Sequence, residues 1–596
     1  MKREIRSSSV AGVAGTGAII DVGQESFVIP GIERWRQSEL RIVDLKRLST
    51  RLHKILKAPT DKKEPSLMVQ RFPRAMFCEK CRKILRWKTG MERDGQEPKC
   101  QQDGCDGKLV PMRFVAACEN GHLEDIDWGF WAHSGPNGNR GCKTNERLLF
   151  EVDAEVQNAG LGSLKVKCGD CGSYRSLEDL SNKSITKEIF RSCASMHPWI
   201  FGQQEQCDAD VVVLQRGATN LHYPVTISAL DIPADVADNQ VSQFADQIRS
   251  QKSYQRLLEL MRNIAGDYAD FIDICIEAIV HAVGCDKDVV LAVANAELSG
   301  RAITSSAGQE DGQVLDQAVL LGEEWKTIEK ALSQGGLTSE HFIAVSEELA
   351  LSSPAWMKAL VSGVLLIRRL REVRAYLGFH RVKPSTPEKM VSPDVGGQQP
   401  WLPASEVFGE GIVIKLNFGR LEKWAEKLPT IELETLKALE RKRVDESFWF
   451  LPRVDPVFLA MHTLAHLLLR RITFECGYSS SSLRERLYFS REGKYAGIMI
   501  YTADGDSEGS LGGLVRQGRS DRLAQSLTEA VEQGRWCSSD PVCFETAGQG
   551  LGGFNHAACH ACSLVSETSC IAANTLLDRR MLYQGSWGLL QFLEDV

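Results

Sequence analysis

The chain has no uncharged apolar stretch approaching the about 18 residues a spanning helix needs. The longest candidates, such as Met357 to Ile367, are too short and carry Lys358, so no membrane contact is expected. No apolar segment follows Met1-Lys2-Arg3-Glu4-Ile5-Arg6-Ser7, so a secretory signal is not expected and a cytoplasmic location is. Gly12, Gly15 and Gly17 lie close together, but no Gly-Lys-Ser/Thr occurs anywhere, which excludes a Walker A phosphate loop. His-Glu-x-x-His and the His-x-Lys pair of phosphodiesterases are also missing. Gly505-Asp506-Ser507-Glu508-Gly509 has the letters of a nucleophile elbow, but carboxylates on both sides of Ser507 oppose a developing oxyanion. No repeat of 20–50 residues is visible. With a net charge of −7, binding to nucleic acid would need a local basic groove.

Cysteine is scarce, at 18 residues in 596, far below the density of a disulfide scaffold. Its distribution is uneven. Ten lie between Cys78 and Cys207 and five between Cys537 and Cys570, whereas the interval from Asp208 to Trp536 holds only Cys275, Cys285 and Cys476. Core-filling cysteines would be scattered; clustered thiols in a reducing compartment point to metal.

At about 150 residues per domain the length suggests roughly four domains. We expect an α+β multidomain chain with zinc-ribbon-like N-terminal lobes, a helical middle and a mixed α/β C-terminal domain with a four-cysteine zinc site. The expected parts are 1–75, a Gly-rich segment with a β-hairpin over Ala18–Val22 and Ser26–Ile29; 76–215, Cys-rich zinc-binding lobes; 216–400, a helical domain with a linker; and 401–596, the C-terminal zinc-binding domain. Helix-period spacing over Val241–Met261, Tyr268–Val283, Trp325–Leu332 and Ala355–Tyr376 marks the helical middle, and Lys383–Trp401, with four prolines, marks the linker.

Cys78-x2-Cys81 followed by Cys100-x4-Cys105 is a zinc-ribbon-like set, in which a second knuckle completes a tetrahedron of thiolates. Cys168-x2-Cys171 is a further knuckle whose partners are either Cys193 and Cys207 or Cys118 and Cys142; the first pair is favoured. Cys118, Cys142, His122 and His133 are then left over, as a third site or as core residues. At the C-terminus Cys537, Cys543, Cys559 and Cys562 are favoured, with Cys570 as a substitute. Two to four structural zinc ions are therefore expected. Four thiolates leave no open position for water or substrate, so no catalytic residue is assigned among them. His462-x3-His466 on an apolar helix reads as a buried structural pair. Asp504, Asp506 and Glu508 read as a solvated loop; a metal-dependent nuclease or hydrolase built on them is a minor alternative.

Basic residues cluster around the first ribbon. Arg74, Lys80, Arg82, Lys83, Arg86 and Lys88, interleaved with Trp87, form the expected nucleic-acid-binding patch, with cations for phosphates and an aromatic for bases. Arg368–Arg374, Arg441–Arg443 and Arg470-Arg471 are further basic clusters, the first expected along a helix.

Several stretches together carry a resemblance. They are Arg6-Ser7-Ser8 through Gly17-Ala18-Ile19-Ile20-Asp21 to Gly31-Ile32-Glu33-Arg34-Trp35; Arg113-Phe114-Val115-Ala116-Ala117-Cys118-Glu119-Asn120-Gly121-His122-Leu123 with Asp127-Trp128; His462-Thr463-Leu464-Ala465-His466; Asp506 to Leu514; Ala557-Ala558-Cys559-His560-Ala561-Cys562; and Glu567-Thr568-Ser569-Cys570 with Asn574 and Leu577-Asp578-Arg579. The chain resembles the DrmB family of the DISARM anti-phage defence systems, and its C-terminal third resembles a helicase-associated zinc-binding domain. The resemblance implies a noncatalytic subunit working beside a separate Swi/Snf-type helicase, DrmA, in a complex that binds DNA. Methyltransferases and a phospholipase-D-like protein complete such systems. A zinc-stabilised scaffold without DNA contact is the alternative.

Overall fold

The computed structural model describes residues 7–60, 67–93, 96–139, 141–142, 147–153, 160–190, 193–200, 206–233, 244–245, 247–262, 269–285, 287–298, 317–479, 481–502, 513–585 and 587–595. The chain forms two compact units. One comprises Met1–Asp231, Gln317–Thr338 and Ile343–Val596; the other comprises Ile232–Asp316 and Ser339–Phe342. The smaller unit contains the helices Lys252–Arg262, Ala269–Val283 and Lys287–Leu298. Tyr254, Leu257, Ile276, Ile279, Val290 and Val293 form its core, which also takes up Cys275 and Cys285. Among the described residues these two cysteines belong to no cluster of metal-ligand type.

The larger unit is built on a nine-stranded sheet among the described residues. Its path runs Gly336–Thr338, Ile343–Glu347, Val361–His380, Trp401–Leu416, Tyr495–Thr502, Leu483–Ser490. Tyr223–Leu230 adds to the far half of Val361–His380, and Ile55–Pro59 pairs in parallel with Trp401–Pro403 and antiparallel with Leu40–Ile42. The α+β class expected from the sequence is present. The expected boundaries lie elsewhere, because strands from three of the four expected parts share this sheet. The boundary at 400 separates Val361–His380 from its neighbour Trp401–Leu416. The expected linker is anchored too, since Val391 and Phe379 exchange backbone hydrogen bonds at 2.9 and 3.1 Å.

The stretch expected as a helix over Ala355–Tyr376 is helical only at Ala355–Leu360; Val361–His380 is a strand. A strand covered on both faces needs apolar side chains on both, so Val364–Ile367 and Leu370 are all buried and period-two alternation disappears. A register shift between Ile367 and Leu370 leaves Arg368 and Arg369 exposed. Arg371 and Arg374 point instead into internal ion pairs, with Asp231 at 2.8 Å and Glu372 at 3.1 Å.

Helix Pro456–Cys476 lies at the centre of the main core. The Asp455 carboxylate caps it by accepting from the Val457 amide at 2.8 Å, Pro456 sits in its first turn, and Gly477 ends it at φ 69°. Among the described residues it alone has the length and apolarity of a membrane span, but 78% of that window is buried inside the fold, so it serves as a core helix. The N-terminal hairpin Ile19–Val22/Glu25–Val28 forms as expected. It lies next to a cluster in which Val28, Phe72, Val115, Trp199, Tyr376 and Phe379 join the Cys-rich region to the main sheet.

A buried charge network joins helix Gln317–Ser333 to this sheet. Glu324 and Arg486, fully and almost fully buried, pair at 2.6 and 2.8 Å, and the Tyr488 hydroxyl and the Leu230 amide donate to the same carboxylate. Arg486 also faces Glu372 at 3.7 Å. Removing the guanidinium by Arg486→Met takes its closest countercharge from buried Glu324, leaving it only Arg47 at 3.6 Å, and should lower stability by about 3–5 kcal/mol. Denaturant unfolding of the full chain checks this, and a loss below about 1 kcal/mol would contradict it. Three histidines are held neutral by burial: His197 and His556 are pushed down to about 4 and His222 to about 3, from an ordinary 6.5. His556 Nδ1 accepts from Arg580 at 2.7 Å, which requires its lone pair. Their folded pKa values lie below the unfolded value, so they stabilise the fold above pH 6.5 and lose that contribution as pH falls toward 4. The melting temperature should fall through that window, and less steeply in His222→Gln; equal slopes would refute the assignment.

Candidate metal centres

The Cys-rich region repeats one local device. A β-strand ends on a fully buried cysteine, and a tight turn brings the next ligand back beside it. Ala75–Cys78 leads to Cys81, Phe114–Cys118 leads to His122, and Leu164–Cys168 leads to Cys171. Turn glycines make the reversals possible: Gly121 and Gly172 have φ of 87° and 78°, a region in which a side chain is strained.

In the first centre Cys78, Cys81, Cys100 and Cys105 bring their sulfurs within 4.8 Å of one another, as the spacing led us to expect. Cys78 lies 3.6 Å from Cys105, and Cys81 lies 3.6 Å from Cys100. Zinc–sulfur bonds of about 2.3 Å in a regular tetrahedron give sulfur–sulfur edges of about 3.8 Å. A disulfide would need about 2.05 Å. The amides of Lys80 and Cys81 donate to the Cys78 sulfur at 3.4 Å. Gly107 gives the room, since a Cβ on it would stand 2.4 Å from that sulfur.

The expected grouping of Cys168 and Cys171 with Cys193 and Cys207 does not form. The structure distributes these residues over two centres. Cys193 and Cys207 meet Cys118 and His122, and Cys168 and Cys171 meet His133 and Cys142, each set within 4.8 Å. The reason is strand topology. Cys118 ends the middle strand of the sheet Leu123–Asp125, Phe114–Cys118, Val211–Gln215, which draws in the segment around Cys207. Cys168 lies in a different, six-stranded sheet. The two histidines, open between core residue and ligand in the sequence, stand at the fourth corner of these two clusters. A Cys-x3-His turn at Cys118 and a helix-terminal His133 were the available sequence signals.

The second centre is buried throughout. Cys118 lies 3.9 Å from Cys207 and 3.3 Å from His122 Nδ1. A hydrogen bond from the Cys193 thiol holds Cys118 down at about 4, so it is a thiolate at neutral pH. Arg381 is fully buried and donates to the carbonyls of Gly121, Leu221 and Gly17, with its guanidinium stacked 4.8 Å from Trp199. A dication held by three thiolates would leave one negative charge, which this guanidinium beside the turn would help to balance. In the third centre His133 Nδ1 bonds the Gly129 carbonyl at 2.7 Å, which turns Nε2 to Cys171 at 3.3 Å. This outer hydrogen bond sets the tautomer a metal ligand needs. The Ser173 hydroxyl, 3.1 Å from the sulfur, lowers Cys171 to about 6.

The fourth centre gathers Cys537, Cys543, Cys559 and Cys562, with sulfur–sulfur separations of 3.5 Å for 537–559 and 3.8 Å for 543–562. Arg579, fully buried, donates to Cys543 at 3.6 Å and pairs with Asp540 at 2.8 Å, and Asp540 in turn accepts from the Cys537 amide. Cys570, held in reserve for this set, stands apart from it beside His462.

The ribbon's cations divide by exposure. Arg82, Arg86 and Lys88 are exposed, Lys83 and Arg74 are half-buried, and Lys80 pairs with Asp106 at 2.6 Å. Trp87 does not offer a stacking face. It packs with Met76, Cys78 and Leu109 and donates to Glu92 at 2.8 Å, because so small a ribbon needs its aromatic as core. The acidic residues Asp504, Asp506 and Glu508 and the elbow letters around Ser507 lie outside the described residues.

A family model described as the MrfA Zn-binding domain matches residues 464–563, which include all four cysteines of the fourth centre. A second, described as a domain of unknown function, DUF8724, matches residues 6–223, which contain the other three centres. The DISARM protein DrmB of Bacillus paralicheniformis is 29% identical over 583 residues, covering 94% of this chain and 97% of that protein. The chain is DrmB-like. The similarity runs from end to end, so it takes in the helical middle and the main sheet as well as the termini on which the resemblance was first drawn.

The geometry predicts which cysteines act together in this DrmB-like chain. Cys118→Ala and Cys193→Ala, singly or combined, should each release the same one equivalent of zinc, whereas Cys168→Ala combined with Cys193→Ala should release two. Metal analysis of the purified full chain checks this, and loss of a single equivalent from the 168/193 double variant would restore the grouping read from spacing.

Proposed function

We propose that this chain is a noncatalytic, DNA-contacting subunit of an anti-phage defence complex of the DISARM type. The observation that carries the reading is the end-to-end similarity to the DISARM protein DrmB. On this reading the chain works in the cytoplasm beside a separate Swi/Snf-type helicase that supplies ATP hydrolysis, with methyltransferases as further members of the system. Four structural zinc ions fill the four cysteine-rich centres: Cys78, Cys81, Cys100 and Cys105; Cys118, His122, Cys193 and Cys207; His133, Cys142, Cys168 and Cys171; and Cys537, Cys543, Cys559 and Cys562. Donor sets of this kind have no open position, so these ions hold structure and do no chemistry. DNA contact falls to the exposed edge of the first ribbon, where Arg82, Arg86 and Lys88 point outward and Arg74, Lys80 and Lys83 flank them. A net charge of −7 makes that local patch the place for phosphates.

Purification of the tagged full chain from its host at low salt should recover a Swi/Snf-type helicase in stoichiometric amount; recovery of the chain alone would contradict the reading. In the recovered complex, Lys83→Glu with Arg86→Glu should weaken DNA binding about tenfold or more. Loss of two phosphate contacts should also reduce the slope of log affinity against log salt by about 2. Unchanged affinity would leave a scaffold without DNA contact.

A further inference from the structure

Outside the four cysteine-rich centres the core holds a mixed cluster. His462 and His466 stand one turn apart on helix Pro456–Cys476, Glu485 projects from the neighbouring strand Leu483–Ser490, and Cys570 comes from the loop beyond the last knuckle. One donor atom from each lies within 4.8 Å of all the others. The side chains of both histidines and of Glu485 have no exposure. A histidine pair this deep reads first as packing, but its polar atoms are not accounted for by packing.

Each imidazole is oriented from behind. His462 Nδ1 faces the Leu576 carbonyl at 3.3 Å, and His466 Nδ1 faces that of Ser563 at 2.9 Å. With Nδ1 donating, both Nε2 atoms turn their lone pairs to the same point. His462 Nε2 lies 3.0 Å from Glu485 Oε1 and 3.2 Å from the Cys570 sulfur, and His466 Nε2 lies 3.5 Å from Glu485 Oε2. Hydrogen bonding within the protein leaves this arrangement incomplete, because His466 Nε2 and Glu485 Oε2 face each other at 3.5 Å, both buried and neither in a well-formed hydrogen bond. Around a tetrahedral metal with bonds of about 2.0–2.3 Å, nitrogen–oxygen edges are about 3.4 Å and nitrogen–sulfur edges about 3.6 Å. The spacings here are near those edges.

The sulfur carries the same backbone dressing as the knuckle cysteines. The amide two residues on donates to it: Ala572 to Cys570 at 3.3 Å, as Lys80 does to Cys78 at 3.4 Å, Ser195 to Cys193 at 3.3 Å and Ser539 to Cys537 at 3.4 Å. Asn574 adds a second amide at 3.3 Å. A dication here would meet one carboxylate, one thiolate and two neutral imidazoles. The assembly is then uncharged, the form in which a set of ligands is least costly to bury.

We infer that His462, His466, Glu485 and Cys570 are a fifth metal site, closed to solvent, taking one divalent transition-metal ion of the zinc type. The ion fastens the core helix to strand Leu483–Ser490 and to the Cys570 loop. It also lies one hydrogen bond from the fourth centre, because Ser563, whose carbonyl orients His466, follows Cys562 directly. With its four ligand positions buried, it holds structure.

The test is an anomalous-scattering map from crystals of the wild-type full chain, collected across the zinc, iron and manganese edges. A peak enclosed by His462, His466, Glu485 and Cys570 is expected, and a map without one overturns the site. Metal analysis of Cys570→Ala and Glu485→Gln should show one equivalent fewer than wild type. Wild-type metal content in a folded variant also overturns it. If neither variant folds, the wild-type map decides alone.

Discussion

A metal-ligand tetrahedron closes only when strand ends that are far apart in the chain arrive at one point, and the N-terminal half of this protein depends on that closure. Cys118 and Cys207 are 89 positions apart yet 3.9 Å apart in space. The lobes around the first three centres are short strands and turns, with cores small enough that Cys78, Cys118 and Cys168 are themselves part of the apolar packing. For such lobes the free energy of metal binding is folding free energy. Ligand placement and sheet topology are therefore one problem: the three-stranded sheet carries one centre and the six-stranded sheet the two on either side of it in sequence.

Charge balance links these centres to the main fold. Thiolate sets bring negative charge into the interior, and two arginines without exposure stand next to them, Arg381 at the turn of the second centre and Arg579 on Cys543 of the fourth. Arg381 follows directly on the long strand of the main sheet and reaches the N-terminal loop through Gly17, so one guanidinium joins three segments. The Glu324–Arg486 pair does the same for helix Gln317–Ser333. Buried charge in this protein is arranged to specify which segments meet.

Much of this was legible in the sequence, and the exceptions have physical causes. Cys-x2-Cys spacing reports a tight turn, so the first and fourth ligand sets could be grouped correctly from local spacing. Partners for Cys168 and Cys171 depend on which sheet each strand joins, a long-range property that spacing does not encode. His133 turns Nε2 toward Cys171 because the Gly129 carbonyl holds its Nδ1. The strand Val361–His380 resembled a helix because burial on both faces removes alternation. Trp87 resembled a stacking platform because composition does not reveal that a small ribbon has consumed its aromatic. The fifth cluster is half visible in the sequence: His462-x3-His466 and a spare Cys570 can be read there, but Glu485 has no motif and enters only through strand pairing.

On the reading proposed above, the clustered ligands hold metal and the metal holds the fold. Native mass spectrometry of the intact full chain tests it most directly. Compact, low charge states heavier than the bare polypeptide by a whole number of metal ions are expected, giving way to extended, high charge states as a chelator removes them. A compact chain at the mass of the bare polypeptide would contradict it.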